Sequence, residues 1–479
     1  MPTLRQTLAA GLLIAAACLP VRAQQQPSQS PPAQPQDESS APIPAYHSPL
    51  ASQADNSDQT GGGTPEVAPD DHALAGAQHL TLGSSESRSY WQPHVDVSAT
   101  ADSNAFGASN SGWTTYESVL GGINLHKISG PSDLTLGYAG GAVISSDGGT
   151  GNYVLQQLNV AERITAKRFV FSFLENLYDL PQALLGYGSL TGEGTSLEPG
   201  LAPVNSILTT RGQQLTSSSV GEMDVKLTRR SSITLVGGYY LLHYFENQPT
   251  LLNTDTITAQ AGYNWQVSPK NTLAVLYRYS DFQYSDLNQT IRDNVVQLSY
   301  GRRVTGRLAF QIAAGPDFTS FGTPVLQNST GTTTSSSQVS WSASGFVNYQ
   351  LRRGSLGASY FHGVSTGSGV QAGSENDNLT ATFSRRLTRT VTGNINGGYS
   401  RNKALAFPGF GIFNQSYNYA YAGASISRPW GRSLSLFASY QAQYQYSNDS
   451  FCVGSTCGFN VIAHLISVGL HWQSRPLLF

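Results

Sequence analysis

From Tyr90 onward, apolar and polar residues alternate one for one. In the run Ile257, Ala259, Ala261, Tyr263, Trp265 and Val267 the odd positions are apolar, and Thr256, Thr258, Gln260, Asn264 and Gln266 separate them. A period of two belongs to a β-strand with one oily and one wet face. The alternation returns over 339–351, 391–399 and 434–444. The wet faces are long and uncharged, unlike the dry inner faces that a sandwich shares. Short turns at 129–132, 166–167, 229–231, 268–271, 304–306, 352–354, 387–389 and 429–431 alternate with longer connections rich in Gly, Ser, Asn and Asp. An antiparallel up-and-down barrel has that rhythm when tight turns face one side of a membrane and loops the other. Counting predicts an all-β chain with a single transmembrane barrel of about 18 strands, or 16, over residues 90–479. A propeller would instead repeat a blade of about 40–45 residues, and no blade signature recurs.

The alternation also fixes which charges face inward. Leu273, Val275, Tyr277 and Tyr279 put odd positions on the oily side of one strand, and Val296, Leu298 and Tyr300 put even positions there on its hairpin partner. Pairing Val275 with Val296 matches the oily faces. It centres the hairpin between Ser285 and Asp286 and sets Arg278 directly opposite Asp293 on the wet face. Glu222, Asp224 and Lys226 alternate along the wet face of another strand. All five are candidate lumen-lining residues, and in low dielectric such charges are expected to pair.

Composition narrows the class. Charged residues make up 12% and apolar residues 39% of the 479, against about 25% and 45–50% in soluble domains. Glycine, at 49 residues, fills part of the gap, and 24 Tyr, 19 Phe and 6 Trp are too many aromatics for a wholly disordered chain. A net charge of −2 leaves no footprint for nucleic acid.

Ahead of the barrel, Arg5 precedes an apolar stretch from Leu8 to Leu19, and Val21-Arg22-Ala23 places small residues at −3 and −1 of a cut before Gln24. Residues 1–23 therefore read as a secretory signal peptide; the run is too short for the ~20 apolar residues of a membrane span. Lipidation at Cys18 is the alternative, against which stands the missing Leu three residues before it. Residues 24–89 are Pro-, Gln- and Ser-rich and carry Asp37, Glu38, Asp55, Asp58, Glu66, Asp70, Asp71 and Glu86 against the single base Arg88. Such a segment buries too little apolar surface to offset its ordering entropy and is expected to be a disordered acidic linker.

Charge is sorted along the barrel. Bases such as Lys127, Lys167, Lys226, Lys270, Arg303 and Arg386 gather at the short turns, with Asp133 the one acid there, while acids gather at the long loops. This predicts a basic rim and an acidic rim, with the acidic linker beside the basic one as a loose electrostatic flap. Cys452 and Cys457, the only thiols after the signal peptide, flank four residues of the last long loop in an oxidising compartment, so a disulfide is expected. Two thiols with no nearby His argue against metal, and no metal or cofactor is expected. His362 with Ser365, and His464 with Ser467, are strand neighbours without a third partner, so no catalytic residue is assigned and no enzyme is expected.

The periodicity, the alternating turns and loops, the signal peptide and the terminal aromatic Phe479 together resemble the bacterial outer-membrane β-barrel proteins, in particular porin-type channels. The resemblance spans roughly residues 90–479 and departs at Pro476, which interrupts the alternation and is expected to end the last strand near Ser474. It implies a Gram-negative outer membrane, lipid as surroundings, recognition by the barrel assembly machinery through Phe479, passage of small polar solutes, and compatibility with a homo-oligomer. In porins the third loop folds inward and narrows the pore; by position alone this makes Glu193 and Glu198, in the 179–211 connection, candidate constriction acids. The alternative function is a structural or export-associated surface barrel serving polysaccharide secretion or adhesion.

Overall fold

In the computed structural model residues 88–103, 112–145, 152–181, 213–245, 251–322, 336–369, 371–405, 415–450, 452–453, 456–458 and 460–479 are described. The signal peptide, nearly all of the 24–89 linker, and Glu193 and Glu198 lie outside them. Among the described residues eighteen long strands follow one another, each hydrogen-bonded to the next. The first, β1 (Tyr90–Asp102), pairs with β2 (Thr114–Ser129) on one side and with the closing strand Asn460–Gln473 on the other, from His94↔Gln473 to Asp102↔Leu465. The sheet is therefore a closed antiparallel barrel without an edge, the form in which strands can satisfy every backbone group in hydrocarbon.

The expected Pro476 break is real and bridged. The closing strand stops at Gln473, and Leu477–Leu478 then pairs separately with Tyr90 and Trp91 of β1.

Alternation sets the two faces throughout. In β8 (Thr254–Ser268) Thr254, Thr256, Thr258, Gln260 and Asn264 are buried, whereas Ile257, Tyr263, Trp265 and Val267 are exposed. Large apolar side chains exposed on the outside include Leu298 at 60% and Val339 at 68%, too many for a water-facing surface and suited to lipid. Phe169 and Phe171, at the turn end of β5 (Phe169–Pro181), belong to this outer face. Carboxylates also occur on this face, among them Glu117, Asp377 and Glu175. Glu175, at the middle of β5 and on the same face as Phe171, accepts hydrogen bonds from Ser217 and Ser219 of β6 (Gln213–Lys226).

The hairpin of β9 (Asn271–Tyr284) and β10 (Gln289–Arg303) corrects the expected register. Leu298, not Val296, lies opposite Val275; Arg278 faces Val295, and Asp293 faces Ser280. The reason is the turn. Ser285–Leu287 forms a short 3₁₀ turn closed by Asn288 at φ 48°, so its centre sits one residue later and the pairing slips by two. A slip of two preserves which face each side chain occupies. This connection is also shorter than the expected long loop.

Close strand approach needs glycine at one point in β11 (Leu308–Gly322). Pro316 has no N–H to give the ladder, and beside it a Cβ on Gly315 would sit 1.8 Å from the Val296 carbonyl oxygen. By contrast a Cβ on Gly237 of β7 (Ser231–Tyr244) meets nothing within 4 Å. Gly315→Ala is therefore expected to lower the yield of folded, heat-modifiable barrel on unboiled electrophoresis, with Gly237→Ala migrating like the parent; equal folding of both would disprove the constraint.

Candidate functional site

The wet face of the barrel encloses the lumen, and one group of its buried charges lies on β6 and on β9 to β11. In β6, Glu222 and Asp224 are buried on the inner face and Lys226 continues their stripe, exposed at the turn end. Thr234 of β7 donates to Asp224 Oδ1, and Asn264 of β8 donates in turn to Thr234 Oγ1 at 3.0 Å. Three adjacent strands thus hold one carboxylate by a relay of hydroxyl and amide.

Arg278 and Asp293 meet despite the corrected register. Arg278 Nη2 lies 3.8 Å from Asp293 Oδ2, a diagonal rather than a direct pair, and the Arg278 guanidinium carbon stands 5.9 Å from the centre of the Phe361 ring on β13 (Gly354–Ser365). The same register brings in a residue that inspection of the hairpin alone misses. Asp317 of β11 pairs with Val295, one step diagonal from Asp293 on the inner face. Arg278 is 5% exposed, Asp293 1% and Asp317 0%, so the ion pair and the neighbouring carboxylate all lie out of bulk water. Thr319 Oγ1 donates to Asp317 at 3.3 Å.

A second inner cluster lies at the barrel seam. Asp96 of β1 faces His471 of the closing strand; His471 Nδ1 is 2.5 Å from Asp96 Oδ1, and the His94 ring centre is 5.7 Å from that of His471. No sequence motif links these residues, because closure between the first and last strands creates the contact. The expected His–Ser neighbours do not combine. His362 lies on the outer face at the loop end, stacked under Trp341 at 3.9 Å with Nδ1 2.8 Å from Asp377 Oδ1, while Ser365 faces inward and bonds to Ser374. His464 meets Tyr440 instead, at 3.0 Å.

One connection that the sequence reading did not single out turns inward at the loop end. In the connection from β13 to β14 (Ser374–Arg386), the carbonyls of Thr366 and Gly369 reach donors elsewhere round the barrel. Tyr284 Oη donates to the Thr366 carbonyl at 3.1 Å, and the Leu252 amide donates to the Gly369 carbonyl at 2.8 Å. The strands supplying these donors are several places round the barrel from β13. Gly367, Gly369 and Gly373 adopt φ of 74°, 71° and 74°. At Gly369 a Cβ would also stand 2.5 Å from Tyr244 Oη, so the loop is seated by backbone rather than side chains. A Gly-Ser-Gly run between two strands was the available signal.

Under this loop the opposite wall is uncharged. Asn376 Nδ2 donates to Asn402 Oδ1 at 2.9 Å and to Ser400 Oγ at 3.0 Å across β14 and β15 (Thr392–Ala404). Toward the turn end the same inner face carries Asn378, Thr380, Thr382, Asn394 and Asn396, which solvent reaches.

The lipid-facing exterior, the edge-free sheet and the polar interior define a transmembrane antiparallel β-barrel. No protein-family model matches the chain, and no curated protein matches it in sequence. Solved structures similar to it include Pseudomonas aeruginosa OpdQ (9% identity, TM-score 0.41, covering 81% of this chain and 99% of that one). Pseudomonas aeruginosa OccK9 is similar at 11% identity and TM-score 0.41, over 81% of this chain and 98% of that one. Acinetobacter baumannii OccAB1 is similar at 9% identity and TM-score 0.42, over 81% and 97% respectively.

The buried Arg278–Asp293 pair makes a thermodynamic prediction. Removing one partner of a buried ion pair strands the other charge. Arg278→Met and Asp293→Asn should each destabilise the refolded barrel, and the double variant should lose less than their sum, with a coupling of about 0.5–3 kcal/mol in urea unfolding. Strict additivity would mean that the two side chains do not interact.

Proposed function

We propose that this barrel is a passive diffusion channel for small polar solutes. The observation that carries the reading is the solvent-reached stripe of Asn and Thr on the inner face of β14 and β15, which climbs from the turn end and stops beneath the 366–373 loop. A barrel of 16 to 18 strands is wide enough to keep an aqueous lumen, and uncharged amides and hydroxyls lower the cost of desolvating a polar solute without holding it. Four inward carboxylates, Glu222, Asp224, Asp293 and Asp317, outnumber the one inward base among them, Arg278, an acidic excess that favours cations over anions. The narrowing assigned by resemblance to Glu193 and Glu198 stays a separate possibility of the 182–212 connection; the 366–373 loop needs neither residue.

Export through a cleaved signal peptide and delivery by the barrel assembly machinery fit the N-terminal sequence and the exposed C-terminal Phe479. Glu175, set in the lipid-facing band, is where a second copy of the chain would gain most by covering a polar group.

Channel activity is tested in planar bilayers. The parent should conduct with a reversal potential favouring cations, and Gly369→Ala, whose methyl collides with Tyr244, should unseat the loop and raise single-channel conductance. Gly431→Ala is the control, since Gly431 has a similar φ of 84° but open space around it. A silent parent would refute the channel; a conducting parent with an unaltered Gly369→Ala variant would refute the loop as its narrowing.

A disulfide between Cys452 and Cys457 is part of the same proposal. Their backbones pair directly opposite each other, a spacing of about 4.5–5.5 Å between Cα atoms that falls within the disulfide range. The purified protein should resist alkylation at both residues until reduced; modification of both thiols without reductant would overturn the bond.

A further inference from the structure

At its turn end the outer face of the barrel passes from apolar side chains to indole rings and then to bases. Trp91, Trp265, Trp430 and Trp472 lie outside at that end, between 38% and 66% exposed. Indoles collect where hydrocarbon gives way to headgroups, so what lies just beyond them stands at headgroup level. Alternation carries three arginines onto this outer face. Arg302 follows Leu298 and Tyr300 on β10, Arg385 follows Leu379 and Phe383 on β14, and Arg428 follows Ile426 on β16 (Ser416–Pro429); all three are exposed.

These arginines belong to a closed ring of charge. Each of the eight short turns carries a Lys or Arg within two residues of it, from Lys127 at the first to Arg432 at the last. With strands about 4.8 Å apart and tilted near 40°, successive turns recur about every 12 Å round the barrel. No ion pair with a carboxylate engages Lys127, Arg302, Arg385 or Arg428 among the described residues. The acids near this end are held elsewhere: Asp133 by His126 Nε2 at 2.7 Å, and Glu162 by Ser132 Oγ at 3.1 Å. The loop end is built differently. There the exposed outer bases Arg401 and Lys403 stand directly opposite Asp377 and Glu375, and Arg292 lies 3.5 Å from Asp281. Positive charge is thus balanced locally at one end of the outer face and unbalanced at the other.

Three features select the occupant of the unbalanced end. Arg302, Arg385 and Arg428 face away from the lumen, so a solute inside the barrel does not meet them. The ring runs round the whole circumference, as a lipid annulus does, whereas a folded partner would need one sector only. It lies just outside the indole belt, at the depth of lipid phosphates, and the arginine fork matches phosphate oxygens two at a time. We propose that the turn-end ring is a binding surface for acidic phospholipid headgroups, of the phosphatidylglycerol type, in the leaflet on the turn side. The ring needs the lipid-facing exterior and not the channel reading. Attraction of exposed bases to an anionic leaflet fades within a Debye length, about 10 Å at 0.1 M salt and 3 Å at 1 M, so the preference belongs to low ionic strength.

Tryptophan quenching tests this on the whole folded chain, because the belt reports which lipid adjoins it. In phosphatidylcholine bilayers at about 0.1 M salt, brominated phosphatidylglycerol should quench the parent more than the same fraction of brominated phosphatidylcholine, and the excess should shrink at about 1 M. Replacing Arg302, Arg385 and Arg428 together by Gln should lower the relative affinity for phosphatidylglycerol, by about fivefold at each site lost. Arg292→Gln, Arg401→Gln and Lys403→Gln together remove the same charge from the loop end and should leave that affinity unchanged. Should the first triple variant fail to migrate as a folded barrel, Arg428→Gln alone carries the comparison. Equal quenching of the parent by both lipids would overturn the proposal. So would an equal loss in the two triple variants, which would make net charge the cause. Displacement of phosphatidylglycerol by lipopolysaccharide at equal phosphate would overturn the phospholipid as the source. A phosphatidylglycerol preference in a barrel that carries no current would uphold the ring and refute the channel instead.

Discussion

Everything in this molecule depends on the hydrogen-bonded seam between β1 and the strand Asn460–Gln473. Without it two rows of backbone N–H and C=O groups would face hydrocarbon, each costing several kcal/mol. The seam explains why sequence-distant residues carry side-chain contacts: Asp96 with His471, and Thr100 with Ser467 at 2.8 Å. It also explains the tail of the chain. Pro476 cannot extend the ladder, yet Leu477 and Leu478 resume pairing with Trp91 and Tyr90, so the seam continues past the break to the last residues.

Closure makes the inside a separate solvent. Once the outer positions are given to lipid, every inward position must be polar, small or packed, and charges there are placed by strand register. Arg278, Asp293 and Asp317 come from three consecutive strands, and Thr234, Asn264 and Asp224 from three others. Neither group is contiguous in sequence. The loop 366–373 adds a third element, held by backbone carbonyls that accept from Tyr284 and Leu252. Glycines at positive φ help those carbonyls turn toward donors several strands away.

Face assignment was legible in the sequence because it depends only on parity. The inward placement of Arg278, Asp293, Glu222, Asp224 and Lys226 follows from alternation and survived a register error of two, since an even slip leaves parity untouched. The slip itself was not legible: whether the turn closes on Ser285–Asp286 or one residue later depends on Asn288 adopting φ 48°, a choice that hydrophobic matching does not sense. Asp317, His94 and His471 were missed for another reason. Their partners lie on neighbouring strands whose pairing needs both registers at once, and for the histidines the pairing spans almost the whole chain. The inward loop was missed because resemblance pointed to the longest connection, whereas seating depends on glycine geometry and on complementary donors across the lumen.

Two opposing fields follow from this arrangement, and they act under different conditions. Bases at the turn-end ring are exposed, so at physiological ionic strength their influence fades within about 8 Å and changes with salt. The lumenal carboxylates are almost wholly shielded from bulk solvent, where screening by mobile ions is weak. An ion entering from the turn end therefore meets a salt-sensitive positive mouth first and a salt-insensitive acidic wall second. Ionic strength can therefore weaken the field at the mouth while leaving that of the buried wall formed by Glu222, Asp224, Asp293 and Asp317 largely unchanged.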